Sequence, residues 1–123
     1  VYAIDYVSDE KQMARLYNAV DAYVTPSLED NLPNTIVEAL SCGVPCVGFN
    51  VGGIPEMIDH RKNGYLAEAR NAEDLAEGIR FILETASREE LSAHAVHSAL
   101  ANYGETNVAS KYIAVYKRAS EKR

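Results

Sequence analysis

Short apolar runs alternate along this chain with stretches in which apolar residues return every three or four positions. Val1 to Val7 reads as a strand, and Ser8 then offers a helix N-cap with Asp9 and Glu10 in the first turn. In that helix Met13, Leu16, Tyr17 and Val20 form one buried stripe. Ala22 to Thr25 is a second short strand, and a polar loop leads from it into a helix that runs to about Ser41. Gly43 stops this helix as a left-handed cap would. Pro45 to Phe49 is short and apolar, as buried parallel strands are. Val51-Gly52-Gly53-Ile54-Pro55-Glu56 makes another strand-to-helix turn, and Lys62-Asn63-Gly64 turns the chain into a fourth strand, Tyr65 to Ala67. Asn71 caps a helix whose apolar face is Leu75, Ile79, Ile82 and Leu83. Ser87 with Glu90 makes a capping box for the next helix, which ends near Tyr103-Gly104. Val108, Tyr112, Val115, Tyr116 and Ala119 stripe a last helix, its tyrosines read as packing groups.

This alternation predicts an α/β fold with a parallel sheet of about four strands, closed by C-terminal helices. The chain reads as a single domain over 1–123, with the α/β core over about 1–85 and the helical segment over about 87–121. In such sheets ligands collect at the carboxyl ends of the strands, where both the loop holding Asp30 and the Gly52-Gly53 loop lie.

The stretch from Pro26 to Gly43 carries the most chemistry. Its loop holds two adjacent carboxylates, Glu29 and Asp30, and opens a helix with Pro33 in the first turn and Glu38 further in. A helix start leaves backbone N–H groups unpaired at the positive end of the dipole, which suits an anion. Seven residues separate Asp30 from Glu38, placing one carboxylate at the mouth and the other inside the helix. A phosphate and neighbouring hydroxyls could be held together there. Acids near a helix start also simply stabilise the dipole, and Pro is good grammar at a first helical position, so spacing alone leaves both readings open.

Composition narrows the partners. The 123 residues carry a formal charge of −6, which argues against nucleic acid. Lys117-Arg118 and Lys122-Arg123, at the very end, complement a helix C-terminus, with a weak anionic-membrane contact as the alternative. No run of eighteen apolar residues and no signal peptide is present, so a soluble, cytoplasmic protein is expected. Cys42 and Cys46 flank a turn with no second cysteine pair and read as small core residues; no metal site is expected from them or from His60, His94 and His97. A start at Val1, inside a strand and without Met, suggests a fragment of something longer.

Pro26-Ser27, the acid at Asp30, Glu38-Ala39-Leu40, Cys42-Gly43-Val44-Pro45 and Gly52-Gly53-Ile54-Pro55-Glu56 together resemble the nucleotide-sugar-binding half of the retaining glycosyltransferases of family 4, the glycosyl transferases group 1. The likeness runs in register from about Tyr6 to Leu83, includes Asn63-Gly64-Tyr65-Leu66, and is followed by a similar tail of helices. It implies a GT-B enzyme of two Rossmann-like halves with the active site in the cleft between them. This chain would be the later part of the C-terminal, donor-binding half: a partial, three-layer Rossmann-like sheet.

The resemblance also assigns roles. Asp30 takes the place of an acid that faces the donor sugar and is usually Glu; it is one methylene short, and Glu29 is an alternative one position out of register. Glu38 matches the second acid, which binds the ribose hydroxyls. Asp30 and Glu38 are thus the expected catalytic pair. Asn31, Asn34 and Thr35 would hold the sugar and diphosphate, whereas Pro33 has no N–H to give. Val7 and Asp9 would lie near the nucleobase.

The implied reaction moves a sugar from a UDP-, GDP- or ADP-sugar to a glycan or lipid-linked acceptor held by the other domain, in polysaccharide or glycolipid synthesis. No cofactor is implied, and no metal is required where an Arg and a Lys neutralise the diphosphate. The resemblance admits peripheral association of the whole enzyme with the inner face of the membrane. Those two cations would precede Val1, so this piece alone is expected to be inactive. Loss of a central strand would expose an edge beside Ala22 to Thr25, around which the chain is expected either to form a dimer or to rearrange. Two other classes fit part of the pattern: a non-catalytic nucleotide-binding module, which needs only the helix mouth and Glu38, and a sugar-nucleotide epimerase of similar architecture.

Overall fold

The computed structural model describes residues 10–26, 34–85 and 87–121. Three parallel strands form one sheet in the order β1-β2-β3, with β1 at Tyr23–Thr25, β2 at Cys46–Phe49 and β3 at Gly64–Ala67. Tyr23 pairs with Cys46 and Thr25 with Gly48, while Cys46 pairs with Gly64 and Phe49 with Ala67. The first of the four expected strands, Val1 to Val7, lies outside the described residues. Helix α1, Glu10–Ala19, precedes β1; α2, Asn34–Ser41, joins β1 to β2; and the single turn α3, Ile54–Met57, joins β2 to β3. The chain continues through α4, Ala72–Arg80, α5, Arg88–Tyr103, and α6, Asn107–Glu121.

Strand β2 is buried along its whole length, and its side chains alternate between two cores. Cys46 joins Ile36, Leu40, Ile54, Ile58, Ala99, Tyr112 and Ile113 on the face covered by α2, α5 and α6. Val47 and Phe49 point the other way, into a cluster with Tyr65, Ala67 and Ile82 against which Leu75 and Ile79 of α4 pack. Helix, sheet and helix thus form the three layers expected of a Rossmann-like unit. The α/β fold is as the alternation of elements predicts.

Local chemistry accounts for the element ends. Gly43 is left-handed, at φ +72°. Its N–H donates to the Leu40 carbonyl at 2.9 Å and the Val44 N–H to the Ala39 carbonyl at 2.9 Å, the two bonds of a Schellman stop. The Asn71 side chain accepts from the Asp74 N–H at 3.0 Å and the Ser87 hydroxyl from the Glu90 N–H at 3.4 Å, so both predicted caps form. Thr106, unread as a cap in the sequence, accepts from the Ala109 N–H at 3.1 Å and starts α6. Asn63 is fully buried and ties the α3 to β3 turn to α5: its amide donates to the Met57 carbonyl at 3.2 Å and the Ser98 hydroxyl at 2.9 Å, and its Oδ1 accepts from the Asp59 N–H at 2.8 Å.

Two expectations from periodicity need correction. Leu83, assigned to the apolar face after Ile79 and Ile82, is 57% exposed. The segment Phe81–Thr85 winds as a wider π turn, so the 3.6-residue phase that predicted burial no longer applies. Val20 is 40% exposed because α1 ends at Ala19, one residue before the stripe would have placed it. Met13, Val108, Val115 and Ala119 have side chains outside the described set, whereas Leu16 is half-buried and Tyr17 and Tyr112 are buried as predicted.

Candidate functional site: the mouth of helix α2

Because the strands are parallel, the loops after β1 and β2 emerge at the same edge of the sheet. The first of these enters α2 at Asn34, and the second passes through Gly52, at φ +54°, into α3. Along α2 the residues Ile36, Val37, Ala39 and Leu40 are buried in the core, which fixes the helix rotation. Thr35 stays exposed and Glu38 half-buried. These two are three apart and share one face of the helix. The loop expected to lead an anion to the N–H groups of Asn34 and Thr35, residues 27–33, lies outside the described residues.

The structure gives Glu38 a partner that sequence reasoning missed. Tyr17, on α1, donates its hydroxyl to Glu38 Oε2 at 3.3 Å and lies 3.5 Å from the Thr35 carbonyl. Its ring is 4% exposed and is held edge-on by Tyr23 and Tyr112, with centroids 6.2 and 5.8 Å away. Burial first, and then the negative charge of Glu38, pushes the phenol well above the ordinary tyrosine range, so it remains a donor. One turn further along α2, Cys42 is pushed up to about 12 by burial and by the same carboxylate, and its thiol points at the Tyr112 carbonyl at 3.9 Å. The signal for Tyr17 was its residue type: a buried phenol needs a hydrogen-bond partner that a Phe or Leu in the same stripe would not.

Of the residues assigned from the sequence, Thr35 and Glu38 lie on one face of α2, within a little over a turn of Asn34. Val7, Asp9, Glu29, Asp30, Asn31 and Pro33 lie outside the described residues. Cys42 and Cys46 are free, buried core thiols. Among the described residues no group of three or more His, Cys, Asp or Glu side chains is placed to hold a metal ion, and no helix is long and apolar enough to cross a membrane.

The family model for glycosyl transferases group 1 matches residues 1–98. The chain belongs to that family. It is 32% identical over 117 residues to N,N'-diacetylbacillosaminyl-diphospho-undecaprenol alpha-1,3-N-acetylgalactosaminyltransferase of Campylobacter jejuni, covering 94% of this chain and 31% of that protein. Among solved structures, sucrose-phosphate synthase from Thermosynechococcus elongatus superposes with a TM-score of 0.73 at 23% identity, covering 94% of this chain and 29% of the other. HepE of Anabaena, crystallised in complex with UDP, superposes with a TM-score of 0.68 at 24% identity over 88% of this chain and 28% of its own. These two likenesses establish the fold, that of GT-B glycosyltransferases. This group 1 glycosyltransferase chain spans under a third of the length of each of the three proteins.

Proposed function

We propose that this chain is the donor-binding part of a retaining glycosyltransferase of family 4, which moves a sugar from a nucleoside diphosphate to a glycan or lipid-linked acceptor. The observation that carries the reading is the placement of Glu38: a carboxylate one turn inside a helix that starts at the carboxyl edge of a parallel sheet, held by a buried hydroxyl. A ribose diol presents two donors at the spacing a carboxylate accepts, and each charge-assisted bond contributes on the order of 1.5–3 kcal/mol. The diphosphate lies against the first-turn N–H groups of Asn34 and Thr35, which stabilise the charge that builds as it departs. Asp30, with Glu29 as its alternative, faces the donor sugar together with Asn31, and Val7 and Asp9 line the base.

In the transfer the bond from the anomeric carbon to the diphosphate oxygen breaks, its electron pair staying on the phosphate. The acceptor oxygen bonds to the same face of the sugar and gives its proton to the departing diphosphate oxygen. Helix N–H groups that match the leaving diphosphate lower this barrier without a metal. The UDP bound to HepE supports a nucleotide donor, and the diphospho-undecaprenol in the name of the Campylobacter relative supports a lipid-linked acceptor.

Calorimetry with UDP, GDP and ADP tests the reading. At least one of the three is expected to bind, and Glu38→Ala to weaken that binding at least tenfold. Binding by none, or affinity unchanged in the variant, would overturn it.

A further inference from the structure

We propose that Tyr17 is the positioning residue for the ribose clasp: its hydroxyl aims the Glu38 carboxylate at the nucleotide, an inference that rests on the ribose reading above. Glutamate has three rotatable bonds, and a side chain free to choose among them presents its oxygens to a diol only part of the time. Tyr17 removes that freedom from the far side. Its oxygen is fixed because its ring is wedged between Tyr23 on β1 and Tyr112 on α6, and it bonds one carboxylate oxygen, Oε2, at 3.3 Å. A carboxylate accepts at about four lone-pair positions, so a bond from Tyr17 leaves capacity for two ribose hydroxyls. The weaker approach to the Thr35 carbonyl, 3.5 Å, keeps the same hydroxyl over the turn that carries the diphosphate-facing N–H groups. One buried phenol thus registers α1 against both halves of the nucleotide site. A purely packing role does not need the oxygen.

The test separates ribose recognition from general stability. The probes are UDP, GDP and ADP, each beside its 2′,3′-dideoxy form, titrated into the full chain as wild type, Tyr17→Phe, Glu38→Gln and the double variant. Tyr17→Phe keeps the ring between Tyr23 and Tyr112 and deletes only the hydroxyl. Wild type is expected to prefer the ribonucleotide about tenfold or more, and Glu38→Gln to abolish most of that preference. Tyr17→Phe is expected to cut the preference about three- to tenfold with the dideoxy affinity unchanged, and to add nothing in the Glu38→Gln background.

If Tyr17→Phe lowers both forms equally, or neither, while Glu38→Gln still removes the preference, the Tyr17 assignment falls and the ribose reading stands. If the preference survives Glu38→Gln, or no diphosphate binds, the ribose reading falls and this one with it. Fluorine NMR of the 3-fluorotyrosine-labelled wild-type chain needs no folded variant for its comparison. The Tyr17 resonance should move with the ribonucleotide and stay with the dideoxy form; a resonance that responds equally to both overturns the proposal.

Discussion

Burial of two thiols in the core sets an alkaline limit on stability. Cys42 is pushed up to about 12 from an ordinary 9.0, and Cys46 is pushed up as well, wholly by burial. A group whose folded value is raised contributes stability that is whole below its unfolded value and is lost as pH rises through the window up to the folded one. The thermal midpoint should therefore be flat from pH 7 to about 8.5 and fall above pH 9, with a shallower fall in Cys42→Ala. Ellman's reagent at pH 8 should leave both thiols untouched in the native chain and label both in denaturant. Asp74 works with the opposite sign. Bonds from the Glu68 N–H and the Tyr65 hydroxyl, each 2.7 Å, hold its carboxyl below the ordinary range, so its contribution is present at neutral pH and lost as pH falls through that depressed value. Asp74→Asn should cost about 1 kcal/mol at pH 7, and the gap from wild type should close below pH 4, as urea melts at the two pH values would show. Both cysteines were legible as core residues from the absence of any partner motif. Asp74 was not, because its partners come from β3 and the loop after it rather than from the helix it begins.

At the scale of elements, two glycines decide how closely neighbours approach. A Cβ at Gly64 would run into the carbonyl of Cys46 on the adjacent strand, so Gly64→Ala must part β2 from β3. Gly78 sits mid-helix in α4, where Ala would ordinarily be better by about 1 kcal/mol. There a Cβ would stand 2.6 Å from the Tyr65 ring and 2.7 Å from Val47 Cγ1. Packing wins over propensity: Gly78→Ala should destabilise by about 1–3 kcal/mol and Gly64→Ala by more, seen as a drop in Tm of several degrees for the first and loss of cooperative melting for the second. Strands, helices and caps were legible because apolar period, Asn71, Ser87 and Gly43 all pointed the same way. The π turn at Phe81–Thr85 was not, since a period argument assumes the pitch it is testing, and the exposed Leu83 follows from that assumption. Around the candidate site, the position of Glu38 within a helix was legible, whereas the Tyr17 hydroxyl bond to it required knowing that α1 crosses that turn of α2.

Across the whole molecule the two faces of the sheet carry unequal responsibility. The core cluster covered by α2, α5 and α6 includes Tyr17, the partner of Glu38, while the cluster against α4 holds Val47, Phe49, Tyr65 and Ile82 and does not include it. Stability lost on the first face should therefore also cost nucleotide affinity; stability lost on the second should not. Tyr112→Ala removes one of the two rings that wedge Tyr17, at a cost of about 3–5 kcal/mol, and lets the phenol swing away from the carboxylate. Ile82→Ala costs about 2–5 kcal/mol on the opposite face and leaves that wedge intact. Urea melts give the folded fraction of each variant, and calorimetry under conditions where both are folded gives the affinity of the native state alone. On that footing Tyr112→Ala should bind the diphosphate several-fold more weakly than wild type although it lies on α6, away from the helix mouth, and Ile82→Ala should bind as wild type does. Equal affinities in the two variants would mean that the C-terminal helices support only the fold and that Glu38 finds its orientation without them.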